Sequence, residues 1–417
     1  MQTNNFPITR ASINITRRCN LKCKYCFTNG CTTGDMSEEI AYKSVDFLIN
    51  NAVKSGEKQI EIGFWGGEPL LNWELLKKVV LYSEERCKQN NIQVAFSGTT
   101  NGILLVSERF SFLEEHKIYF MVSIDGTAET HDSYRVFTSG HGSHETVRRN
   151  MVEVLKMWPF YRARMAPSAD HVHRFYEDVK YLFDLGFNYI MFSPVYESDW
   201  TDEKWDIFEK ECYKVVDLLI QLKVQGRDVE IEHFRSYQGK DDSEWPCGAG
   251  RNYVGIDIDG AIYPCHRFNK FDDNRPWQDK EVCIGHIDNG ITNPRFRQSF
   301  IDFRPDCGKC PRTQDTPCHG GCYAVNYDFN KDITKPHEGL CKYVEIQKRV
   351  SIYYQQQLQK YNLIQHQCGQ QGDCVCNFSY YTGPIDQSKK PQLTLDIIAS
   401  LLMDLNNRVS RLENASK

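Results

Sequence analysis

The chain has 417 residues, 41% of them hydrophobic and 25% charged, with a formal net charge of -5, the profile of a globular protein long enough for two domains and a tail. That charge offers no phosphate-binding surface, which argues against nucleic acid as a partner; no apolar run nears membrane-spanning length, and the opening MQTNNFPITR has no apolar signal core. Seventeen cysteines without an export signal are out of place as disulfides and read as metal ligands in a reducing, cytoplasmic setting.

In chain order, a candidate strand over 10–17 runs directly into Cys19, Cys23 and Cys26. This C-x3-C-x2-C triplet can hold a [4Fe–4S] cluster by three irons and leave the fourth without a protein ligand, whereas a cluster kept for electron transfer has all four ligated. Further candidate strands fall at 59–65, 92–98, 117–124, 161–166 and 188–193, with helical stretches at about 37–54, 70–89, 106–116, 143–157 and 170–185. The alternation is that of βα units and a parallel sheet. Six strands are too few to close an eight-fold barrel, and in parallel architectures the chemistry gathers at the C-terminal strand ends. Those ends carry Gly66-Gly67-Glu68-Pro69, Thr99-Thr100-Asn101-Gly102 and Ser123-Ile124-Asp125-Gly126, followed by Arg135 and Arg149.

From about residue 231 the helical periodicity weakens and cysteines concentrate, at 247, 265, 283, 307, 310, 318, 322 and 341. Cys307-x2-Cys310 with Cys318-x3-Cys322 also has the look of a zinc ribbon with His319 as a spare ligand, a non-enzymatic alternative that leaves Cys19, Cys23, Cys26, Cys247 and Cys265 unexplained. Residues 346–361 read as helix; 368–391, with Cys368, Cys374 and Cys376, reads as loop. Leu395, Ile398, Leu402, Leu405, Val409 and Leu412 then recur at spacings of three and four. This heptad seam is too short for an independent coiled coil, so it docks on this chain, dimerises or binds a precursor.

The triplet, the Gly-Gly-Glu-Pro stretch and the cysteine order resemble the radical S-adenosylmethionine (SAM) enzymes that carry a SPASM domain, over roughly residues 10–345. The resemblance implies an α/β fold: a partial (βα)6 barrel over 1–230, a SPASM domain over 231–345 and a helical extension over 346–417. It implies SAM and three [4Fe–4S] clusters as cofactors. Cys19, Cys23 and Cys26 would hold the SAM-binding cluster, whose open iron is chelated by the SAM amino and carboxylate groups; one electron from it breaks the carbon–sulfur bond and yields a 5'-deoxyadenosyl radical. SAM contacts are implied at Tyr25, Gly66, Gly67, Glu68, Asn101 and Ser123, with Arg135 or Arg149 matching the carboxylate bidentately. Cys247, Cys265 and Cys322 would hold a first auxiliary cluster, and Cys307, Cys310, Cys318 and Cys341 a second. The fourth ligand of the first stays open: Cys283 is a candidate by proximity in sequence, or else a buried apolar-packed thiol. A flavodoxin- or ferredoxin-type protein would supply the electron.

Sulfatase-maturing relatives place an aspartate directly after the Tyr-Pro-Cys cysteine. Here the segment is Tyr263-Pro264-Cys265-His266-Arg267-Phe268. His266 is the candidate catalytic proton acceptor, or a polar support for Cys265. The Cys-His-Arg-Phe version resembles maturases of ribosomally made peptides, which install thioether or carbon–carbon cross-links. Peptide cross-linking is therefore the expected function and formylglycine formation the alternative; both start by removing hydrogen from a peptide carbon. Because the first strand begins near residue 10, no separate leader-binding module is expected before it.

Overall fold

A computed structural model describes residues 6–28, 33–235, 247–270, 280–294, 297–298, 318 and 320–363. Six strands, β1 (Arg10–Thr16), β2 (Gln59–Gly66), β3 (Gln93–Thr100), β4 (Tyr119–Ser123), β5 (Arg162–Met165) and β6 (Tyr189–Phe192), lie side by side in sequence order, all parallel. Their bounds nearly match the sequence expectation. Between them run α1 (Glu38–Ser55), α2 (Trp73–Gln89), α3 (Phe110–Glu115), α4 (Ala128–Tyr134), α5 (His144–Met157) and α6 (Phe175–Leu185). This is an open α/β barrel with its six central strands parallel.

The period-2 pattern of each strand sets what the barrel encloses. Ala11, Ile13 and Ile15 of β1, Ile60, Ile62 and Phe64 of β2, Phe120 and Val122 of β4, and Ala163 and Met165 of β5 join the core with the helices. Each large apolar side chain buried there contributes about 1.5–3 kcal/mol. The alternate positions, Ser12 and Asn14, Trp65, Ser123 and Arg164, lie on the opposite, polar face. Helix ends follow local chemistry: Ser37 accepts the Ile40 N–H at 3.2 Å to start α1, and Gly56, at φ +78°, stops it.

The sheet is larger than six strands. β7 (Glu230–Ile231) extends it beyond β6, after the long helix α7 (Asp202–Val224), and α8 (Glu232–Arg235) follows. On the other edge β8 (Tyr253–Ile256) pairs parallel with β1, and β9 (Ala261–Tyr263), β10 (Gly285–His286) and β11 (Gly290–Ile291) continue as antiparallel ribbons. Residues on either side of 231 thus share one sheet. The helix Glu338–Lys360 lies along α7 and α8, tied by Arg349 to Glu209 (2.6 Å) and Tyr353 to Asp217 (2.8 Å). Among the described residues no helix is long and apolar enough to cross a membrane. Cys307, Cys310, His319, Cys368, Cys374, Cys376 and the 395–412 seam lie outside the described residues.

Candidate active site

The chain leaves β1 through the segment that carries Cys19, Cys23 and Cys26, all half-buried. Its backbone is pinned to the stretch after α4: Lys22 N–H donates to Val136 (2.8 Å), Lys24 N–H to Tyr134 (3.0 Å), and Leu21 pairs with Phe137. Donors face the sulfurs. Leu21 N–H lies 3.5 Å from Cys19 Sγ, the Asn101 amide 3.8 Å from the same atom, and the Thr28 hydroxyl 3.0 Å from Cys26 Sγ. Asn101 also donates to Asn20 Oδ1 at 2.7 Å, so the end of β3 holds the loop directly.

The end of β2 holds it from below. A Cβ on Gly66 would sit 2.1 Å from the Thr16 carbonyl oxygen, and one on Gly67 2.2 Å from that of Arg18; Gly66 also stands at φ +133°. Gly67 N–H and Glu68 N–H donate to those two carbonyls at 2.9 and 2.8 Å. The glycines were expected to admit a ligand; in the fold the close approach is to the chain's own cysteine loop. Glu68 is buried, accepting from Leu70 N–H (3.1 Å), the Thr100 hydroxyl (2.8 Å) and Asn101 N–H (2.7 Å). Its carboxylate positions two strand ends and is not presented to a ligand.

Burial pushes the Glu68 pKa up to about 7 against those three hydrogen bonds. A folded-state value above the unfolded one stabilises below the unfolded pKa and loses that stabilisation as pH rises through about 7. Glu68→Gln cannot ionise. Wild type should therefore lose about 3 kcal/mol relative to Glu68→Gln between pH 5 and pH 8.5, read from urea midpoints across that range. Parallel profiles would exclude a protonated Glu68.

At the end of β4, Ser123 is buried and Asp125 organises its surroundings. Arg135 donates to both Asp125 oxygens (2.7 and 3.3 Å), the Tyr25 hydroxyl donates to Oδ2, and Ala166 N–H to Oδ1 (2.9 Å). Burial alone would push Asp125 up, but the Arg135 charge and these hydrogen bonds outweigh it and hold the carboxyl below its ordinary value. Arg135, expected to face a ligand carboxylate, instead pairs with Asp125 and lies over the Tyr25 ring at 5.2 Å. Arg149 is exposed on α5, near Glu145. A second guanidinium, Arg164 on β5, lies within electrostatic reach of Tyr25, Asp125 and Arg135 and is bonded to the Met165 carbonyl. Two arginines in the short strand Arg-Ala-Arg-Met were the signal for it: charge in a strand whose other face is core.

The later segment closes the opposite side. His266 stacks on Trp65 with centroids 4.0 Å apart, and its Nδ1 lies 2.7 Å from the Tyr253 hydroxyl, which in turn is 2.5 Å from Ser12 Oγ. Burial, with the charges of Arg267 and Arg164, pushes its pKa down to about 3. A base that weak accepts protons poorly near neutrality, and the stacking on Trp65 suits the other expectation for His266, a support for Cys265. Arg267 pairs with Glu197 and Asp328, and Lys270 with Asp328 and the Phe27 carbonyl. These contacts dock the segment on the end of the cysteine loop.

Cys265 is buried, and its thiol is pushed up first by burial and then by the nearby Cys322 and Cys247. Three thiols that repel one another as thiolates fit a polynuclear iron cluster, which neutralises each on a separate iron. Cys283 does not complete the set: it is buried and donates to the Ile262 and Gly285 carbonyls at 3.4 and 3.2 Å. Cys341 opens the helix Glu338–Lys360, and Cys318 is half-buried.

Comparison with known proteins agrees with the fold. Residues 13–206 match the Radical SAM superfamily. An uncharacterized protein of Methanocaldococcus jannaschii is 34% identical over 182 residues, 43% of this chain and 60% of that protein. A cysteine-type anaerobic sulfatase-maturating enzyme of Clostridium perfringens is 24% identical over 73% of this chain and 85% of its own length. Among solved structures, native anSMEcpe with bound AdoMet superposes with a TM-score of 0.67 at 21% identity, covering 85% of this chain and 100% of that one. Streptococcus suis SuiB bound to precursor peptide SuiA gives 0.57 at 15% identity, covering 81% and 76%.

Proposed function

We propose, from a chain whose residues 13–206 form a radical SAM domain, an enzyme that takes hydrogen from a carbon of a ribosomally made peptide and installs a thioether or carbon–carbon cross-link. The convergence of the β1–β4 ends on one half-buried thiol loop carries this reading. SAM and a [4Fe–4S] cluster at Cys19, Cys23 and Cys26 supply, when bound, the one-electron cleavage that makes hydrogen abstraction possible. Asn101 and Glu68 fix the loop, Asp125 and Arg135 set the Tyr25 ring, and Arg164 offers a cation to bound ligand. Cys247, Cys265 and Cys322 hold one auxiliary cluster; Cys307, Cys310, Cys318 and Cys341 hold the other.

Cross-linking is preferred because the residue after Cys265 is a neutral His266, and the neighbouring carboxylates Glu197 and Asp328 are tied to Arg267 and Lys270. The peptide substrate is supported by the likeness to SuiB bound to its precursor peptide. Formylglycine formation is the second reading, favoured by the sulfatase-maturating relative and the higher TM-score of anSMEcpe. The two separate in one assay. A sulfatase-type peptide carrying Cys-x-Pro-x-Arg, incubated anaerobically with SAM and reductant, should yield no aldehyde by mass spectrometry, from wild type or from His266→Asp. A peptide encoded beside the gene should lose two hydrogens. Efficient aldehyde formation by wild type would promote the second reading.

A further inference from the structure

Arg164 is a cation that the fold leaves unanswered. It pairs in register with Ser123 at the end of β4, and its carbonyl accepts the Ile124 N–H at 3.1 Å. Among the described residues its guanidinium has no carboxylate within ion-pair distance, and its hydrogen bond goes to the Met165 carbonyl beside it. Most of its N–H donors are unspent. Asp125, a carboxylate within electrostatic reach, is already taken: Arg135 pairs with it, and Tyr25 and the Ala166 N–H donate to it. A surplus positive charge is left. Burial lowers the Arg164 pKa, yet the residue is only half-buried. A group surrounded by protein that keeps accessible surface borders open space inside the fold. His233 and His266 are likewise half-buried, lowered first by burial, and within the field of Arg164. Tyr25 feels both Arg164 and Cys23, while Tyr196 feels both Arg164 and Cys322. Arg164 thus stands between the first thiol loop and the later thiols.

We propose that Arg164 is the subsite for a carboxylate of the peptide substrate, so that this enzyme selects peptides by an acidic group. The proposal rests on the peptide-substrate reading above and names a feature that the substrate must carry. A guanidinium matches a carboxylate bidentately, and a peptide lacking the acid would leave the buried charge unpaired, which disfavours it. Tyr343 and His233, which share the field of Arg164, come from the helix Glu338–Lys360 and from α8, just after β7. They belong to the β6–β7 end of the strand order, away from the β1 loop. That placement favours a peptide carboxylate over that of SAM. An acid gripped there anchors the substrate between the two groups of thiols.

The test measures binding, not turnover. The full reconstituted chain is held anaerobically with saturating SAM and no reductant, and isothermal titration compares three probes. N-acetylglutamate N-methylamide carries a side-chain acid, N-acetylglycylglycine a terminal one, and N-acetylglutamine N-methylamide neither. Wild type should bind at least one acid about 10-fold or more tighter than the neutral probe, and the tighter acid tells which kind of carboxylate is read. Arg164→Met should abolish that preference. Arg164→Lys, which keeps the charge and loses the fork, should retain part of it. Both variants should bind the neutral probe as wild type does, which shows that they are folded. No preference in wild type overturns the proposal, as does a preference that survives in Arg164→Met. A preference seen only when SAM is left out assigns the guanidinium to the SAM carboxylate and overturns it too. Failure of the cross-linking reading shows instead in the product assay, as aldehyde from the sulfatase-type peptide, and leaves the binding result unchanged.

Discussion

Replacing Cys19, Cys23 and Cys26 together with alanine should abolish SAM cleavage and lower the iron of reconstituted protein from about twelve atoms per chain to about eight. The loop should keep its shape without the thiols. Leu21 anchors it in the core, Lys22 and Lys24 hold it through backbone bonds to Val136 and Tyr134, and Asn101 grips it through Asn20. None of these contacts needs a cysteine side chain, so the variant should fold and retain the later thiol sets. Cys265→Ala is the comparison. It removes the thiol that Cys247 and Cys322 face and should cost cluster content, while slow peptide-independent cleavage of SAM continues. Product analysis for 5'-deoxyadenosine and iron determination decide the matter. Deoxyadenosine from the triple variant would remove the radical-generating role from this loop.

Much of this arrangement was legible in the sequence, for reasons that individual residues make plain. β1 reads Arg-Ala-Ser-Ile-Asn-Ile-Thr, and its alternation placed Ile13 and Ile15 in the core and Ser12 and Asn14 on the other face. The cysteine triplet needed only spacing. Partners distant in sequence were not legible. Arg135 carried the right chemistry for a ligand carboxylate, but Asp125 reaches it only because α4 folds the chain back between them. Gly66 and Gly67 were singled out correctly as close-approach residues, yet what they approach is Thr16 and Arg18 across the β1–β2 pairing. α7 escaped the reading because it is covered on two sides, by α6 and by the helix Glu338–Lys360. Its buried residues accordingly wrap around the axis instead of forming one stripe. β8–β11 are strands of two to four residues, too short for periodicity to register. His266 was found by motif, but its protonation is decided by Trp65, Arg164 and Arg267 around it.

The Asp125–Arg135 pair should be the most costly polar contact to break. Both side chains are buried, and Asp125 serves Arg135, Tyr25 and Ala166 at once. Asp125→Ala leaves a buried guanidinium without its carboxylate, a change that costs about 3–5 kcal/mol, a large part of the 5–15 kcal/mol that holds a typical domain together. Asp125→Ala/Arg135→Met removes both charges and keeps an unbranched side chain over Tyr25, so it should recover much of that loss. The pH dependence has a definite sign. Asp125 is depressed in the fold, so its stabilisation is present above its unfolded value and is lost as pH falls through the folded one. The gap between wild type and Asp125→Ala should therefore be widest near neutrality and narrow in acid. Urea unfolding of the apoprotein at pH 7 and in acid well below the ordinary aspartate value measures both effects. A double variant as unstable as the single one would mean that Asp125 acts mainly through Tyr25 and the Ala166 N–H, with Arg135 a bystander.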